Sequence, residues 1–141
     1  MRKTFLALLL AALISGFNVM PLHAGQEPDI AAIQAAWAHE PPLDQTDIDN
    51  YLGLWPQIMD MAQQGFVKED FRLIFKQAGW NDVHGSYVMA KMNMALILLD
   101  APELEAKFAL SMPEGALPSE AEMNLVRKNY NRILKVQNAY I

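Results

Sequence analysis

His84, Tyr87 and Lys91 follow one another at spacings of three and four residues, so on a helix they share one side. An imidazole, a phenol and an ammonium are groups that can move a proton or hold a ligand. They form the candidate ligand-binding set of this chain. Lys91 lies about 40° from Tyr87 around the helix, among Tyr87, Ala95, Leu98 and His84. A lysine in that position either carries its amine out to solvent along its alkyl stem or meets a buried acid, because an unpaired buried charge is costly. Asp60 and Glu122 are the acids considered as partners.

A second pattern is Met89-x-x-Met92-x-Met94 with His84 nearby, the soft-ligand content of a Cu(I) site. Geometry weighs against it. Met89 and Met92 fall about 60° apart on the back of the helix, whereas Met94 and His84 project to the front. Methionine at helical spacing more often fills irregular core space. No metal and no cofactor is therefore expected.

Other chemistries lack their residues. The chain has no Cys, and Ser119 is better read as a helix cap than as a nucleophile. No nucleophile elbow, zinc helix or glycine-rich phosphate loop occurs. The acid pairs Glu69-Asp70 and Asp47/Asp49 fit helix starts, where carboxylates stabilise without reacting. No catalytic residue is assigned, and enzyme activity is not expected. Trp37, Trp55, Trp80, Tyr51 and Phe71 could line an apolar cavity, although inward stripes make them better core residues.

The first 24 residues carry a basic start, an apolar run from Phe5 and the small-residue site Leu22-His23-Ala24. That is the pattern of a cleaved secretory signal peptide, which implies a periplasmic or secreted protein. Residues 25–141 are expected to form a single all-helical domain with 9 basic and 16 acidic residues. An acidic balance argues against nucleic acid and against anionic membrane surfaces as partners. The charges are segregated: residues 25–67 hold seven acids and no Lys or Arg, while residues 123–141 hold Arg127, Lys128, Arg132 and Lys135 and no acids. The last helix is therefore a candidate neighbour of the first two.

The elements that must position these groups are helical. Residues 29–40 read as a short helix stopped by Pro41-Pro42. Asp44 with Asp47 is a capping box opening a helix to Gln64, with Pro56 as a kink inside it and Gly65 as terminator. Residues 66–78 form a third helix. Asn81 caps a fourth, Asn81–Asp100, which is apolar nearly all round and so must be buried on both sides or lie in a subunit interface. Lys91 and Asn93 interrupt it too early for a membrane span of about 20 apolar residues. Residues 101–118 read as an irregular connection with a helical turn or two near Pro102–Leu110. Ser119 with Glu122 is a second capping box, opening a last helix to the C-terminus.

No strand signal is present. The fold class expected is all-α, a small bundle of four to five helices with mostly antiparallel neighbours. The functional expectation is an exported, non-enzymatic protein acting through protein contact, an accessory or stress-related factor that pairs with another protein or with itself. The alternatives are a carrier of a small hydrophobic ligand and a Met-based Cu(I) binder.

Overall fold

The computed structural model describes residues 30–65 and 68–140, and nothing is described of the side chains of Ile30 and residues 68–71. The expected signal peptide, the lead-in 25–29 and the side chains of Glu69, Asp70 and Phe71 lie outside the described residues. The fold is all-α, with no strand among the described residues. Its helices are α1 (Ile30–Ala36), α2 (Gln45–Gln64), α3 (Lys68–Gln77), α4 (Asp82–Asp100), α5 (Glu105–Ser111), α6 (Glu120–Lys128) and α7 (Tyr130–Asn138). Short 3-10 turns follow α1 at Trp37–His39 and precede α5 at Pro102–Leu104.

Among the described residues seven helices stand where five segments are read from the sequence, for local reasons. The connection after Asp100 winds into α5. The last segment breaks at Asn129 (φ −94°, ψ 2°), whose backbone N–H is shared between the Leu125 and Val126 carbonyls. Its side chain also donates to the Leu125 carbonyl at 2.9 Å, an alternative to the helical ladder that asparagine readily offers.

The caps form where the sequence places them. Asp44 and Asp47 exchange side-chain and backbone bonds at the start of α2, as Ser119 and Glu122 do at the start of α6. Gly65 ends α2 in the left-handed region at φ 95°, a conformation that suits glycine. Helix α2 continues through Pro56.

Helix α4 is the axis of the molecule. Every residue from Gly85 to Leu98 is buried, and Val88 through Ala90, Met92 through Leu96 are fully so. Helices α1, α2, α3 and α6 all pack on it. Its apolar back face, with Met89, Met92 and Leu96, is thus covered by the chain itself. Closest approach occurs at Gly85, where an added Cβ would lie 2.4 Å from the Phe75 ring. The segregated charges do meet: α7 packs along α2, Arg132 pairs with Asp49, and the amides of Gln45 and Asn129 bond to each other at 2.9 and 3.0 Å.

Candidate functional site

The three site residues do come together, and each is held by a partner supplied from another element. Asn81 is extended, and its Oδ1 accepts the His84 N–H at 2.8 Å, which starts α4 and fixes where His84 stands. The imidazole lies between two carboxylates. Nδ1 is 3.1 Å from Glu40 Oε2, and Nε2 is 2.8 Å from Asp47 Oδ1. The Trp80 ring meets it edge-on at 5.8 Å and the Tyr87 ring at 6.0 Å. Burial alone would lower the His84 pKa, but the bonds to Asp47 and Glu40 outweigh it and raise the pKa above the ordinary value.

One turn further along α4, the Tyr87 hydroxyl donates to the Pro41 carbonyl at 2.8 Å and accepts from Lys91 Nζ at 2.9 Å. Burial raises the Tyr87 pKa, partly offset by Lys91. Lys91 is 7% exposed, so it does not carry its amine to solvent. Its Nζ donates to both oxygens of Glu122, at 2.6 and 2.8 Å, and lies 4.8 Å from the centre of the Tyr87 ring.

Glu122 is the hub of this half of the site. Besides Lys91 it accepts the backbone N–H of Leu43 at 2.8 Å and that of Ser119 at 2.9 Å. Burial would raise its pKa. The Leu43 amide, Lys91 and the Ser119 amide together hold it below the usual carboxylate range instead. Asp60, the other acid considered for Lys91, is exposed and accepts from Gln64.

Six titratable groups therefore form two adjoining clusters, Glu40–His84–Asp47 and Tyr87–Lys91–Glu122. Both sit under the segment 37–44, which crosses α4. Sequence reasoning reached His84, Tyr87, Lys91 and Glu122 but missed Glu40 and the second role of Asp47. Asp47 was legible only as a capping acid: Oδ2 accepts the Asp44 N–H, while Oδ1 turns to His84. Glu40 precedes Pro41-Pro42 and carries no local signal at all.

The other candidates are core. Met89, Met92 and Met94 are fully buried among apolar neighbours. Among the described residues no three His, Asp or Glu side chains converge on a point that could hold a metal ion. Around His84 the reason is plain, because the two carboxylates flank the ring from opposite edges. Trp37, Tyr51, Trp55 and Trp80 belong to the hydrophobic core, and the Trp37 indole donates to Ser86 Oγ at 3.0 Å.

An open groove of about 490 Å³ lies elsewhere, beside the C-terminal end of α4. Leu98, Leu99 and Met123 line it together with Glu105, Glu120 and Arg127. No helix among the described residues is long and apolar enough to cross a membrane. No known protein family, curated protein or solved structure matches the chain.

Proposed function

We propose that this is an exported helical protein, cleaved after Ala24 and working in the periplasm or outside the cell through protein contact and not through chemistry. The observation that carries the reading is the state of Lys91. Its ammonium is spent on both oxygens of Glu122 and on the Tyr87 hydroxyl, behind a 7% exposed side chain. His84 is likewise engaged at both nitrogens. Groups so matched hold loops in place, whereas a general base or nucleophile needs a free side facing its substrate. The outside offers the exposed apolar side chains Leu73, Leu110 and Tyr140 and an open groove where Leu98, Leu99 and Met123 lie beside Glu105, Glu120 and Arg127.

The groove also favours a second reading, a carrier of a small hydrophobic ligand, since its volume falls in the range of about 300–1,000 Å³ common to ligand pockets. The site would then be this groove and not a chamber among the tryptophans.

Photo-crosslinkers placed at Glu105, Met123 and Leu110, with native mass spectrometry of the protein purified gently from its own compartment, separate the two. Discrete protein adducts at these positions, absent from a probe at Lys76 on α3, support contact. A co-purified small molecule lost on Met123→Trp supports the carrier. Neither adduct nor ligand would end both readings.

A further inference from the structure

We infer that the strap Ala38–Leu43 is a pH-released latch, shut by the doubly hydrogen-bonded ring of His84 and opened when that ring loses one proton. Pro41 and Pro42 have no N–H to donate, and the 3-10 turn Trp37–His39 at the start of the strap closes with the bond from Glu40 N–H to the Trp37 carbonyl, at 3.2 Å. Side chains hold the rest. Glu40 is held by His84, the Pro41 carbonyl by Tyr87 and the Leu43 N–H by Glu122.

The ends of the strap are fixed independently. Trp37 is bonded to Ser86, and its backbone lies so close to Gly115 that a Cβ there would be 2.7 Å from the Trp37 carbonyl carbon. Asp44 is locked into the capping box of α2. Movement is thereby confined to the residues between, a span with two anchored hinges.

His84 is the one anchor whose bonding changes near neutrality. Both ring nitrogens carry a hydrogen only in the imidazolium, so only the charged ring can donate to Glu40 and Asp47 together. The neutral ring has one N–H and one lone pair, and one carboxylate must then face that lone pair.

Glu40 from the strap and Asp47 from α2 are the charges in contact with the ring. Next in line are Asp44, capping α2 beside Asp47, and Tyr87 on α4. The Lys91–Glu122 pair lies beyond Tyr87, and the charge of Asp82 is matched by Arg72 of α3 at 3.2 Å. Among the described residues the cations named here, Arg72 and Lys91, are each already paired with a carboxylate. Opening would uncover Leu43, 5% exposed when shut, and the Tyr87–Lys91–Glu122 cluster beneath. This device holds whether or not the protein acts by contact.

The test is an NMR titration of the purified protein, following the His84 ring and the amides of Ala38, Glu40 and Leu43, together with hydrogen exchange corrected for the intrinsic effect of pH. All three amides are expected to shift with the midpoint of the His84 ring, and Leu43 protection to fall about tenfold or more across it. Glu40→Gln should move the midpoint down, and His39→Gln, an exposed histidine on the same strap, should leave it unchanged. His84→Gln should abolish the strap transition. Strap amides that ignore the His84 titration, or a midpoint that persists in His84→Gln, would overturn the latch. If His84→Gln does not fold, the wild-type and Glu40→Gln titrations decide alone.

Discussion

Breaking the Lys91–Glu122 pair from each side should give unequal losses, and the inequality follows from the bonds each partner keeps. In Glu122→Gln the side chain keeps its shape but offers one oxygen in place of two. In the native protein Oε1 serves Ser119 and Oε2 serves Leu43, so whichever way the amide turns, one backbone N–H faces an NH2 group. Lys91, at 7% exposure, meanwhile keeps the Tyr87 hydroxyl and the one amide oxygen as acceptors but loses the negative charge that matched its own. An unmatched buried charge of this kind costs about 3–5 kcal/mol. In Lys91→Met the carboxylate keeps the two backbone donors, and the loss should be smaller, about 2–3 kcal/mol.

Urea unfolding followed by circular dichroism measures both, with an unchanged slope showing that the compactness of the end states is preserved. The heat-denaturation midpoint should fall by roughly 12–20 °C for Glu122→Gln, at about 4 °C per kcal/mol for a domain of this size. The double variant should lose less than the sum of the two singles, by about 2 kcal/mol. Two results refute the reasoning. One is a Lys91→Met protein within about 0.5 kcal/mol of the parent, typical of an exposed position. The other is strict additivity of the two losses.

The remaining expectations are narrower. Glu122 titrates lower folded than unfolded, so its contribution is present above the unfolded value of about 4.3 and is lost as pH falls through the folded one. Urea midpoints between pH 5 and pH 2 should flatten in Glu122→Gln. His84 titrates higher folded than unfolded, so its contribution is complete below about pH 6.5 and is lost as pH rises through the folded value; His84→Gln should remove that alkaline decline in a urea series. Gly85→Ala should destabilise by about 1–3 kcal/mol, because the Phe75 ring it would meet is itself buried and cannot swing away; a more stable alanine variant would show that α3 and α4 are not in close contact there. Arg132→Ala should change stability by less than about 0.5 kcal/mol, since both it and Asp49 are half-exposed.

Signals that act over four residues were legible. The capping boxes Asp44/Asp47 and Ser119/Glu122, the Asn81 cap and the Gly65 terminator each depend on residue types at fixed short offsets, and each forms as written. The all-round apolar character of α4 likewise required burial wherever its neighbours came from. What was hidden depended on chain crossings. Nothing near Glu40 marks it as a partner of His84, 44 positions away, because that pairing exists only once the strap lies across α4. The break at Asn129 was hidden for a related reason. An asparagine inside an otherwise good helical pattern is tolerable until a neighbour, here Gln45 of α2, engages its side chain.

One residue shows why a single reading of a sequence motif can be true and still incomplete. The carboxylate of Glu122 closes a capping box, which the pattern Ser-x-x-Glu announces. The same two oxygens also neutralise Lys91 on the central helix and hold the Leu43 amide of the strap. A cap alone would leave the group in water, where its charge contributes a fraction of a kcal/mol to about 1 kcal/mol. Buried at 3% exposure, it fixes three segments relative to one another, and removing it loosens all three at once. The discriminating observation is therefore cooperative. In Glu122→Gln, amide protection at Leu43 and Ser119 should fall together with that of the α4 turn around Lys91, whereas loss confined to the first turn of α6 would reduce Glu122 to a cap.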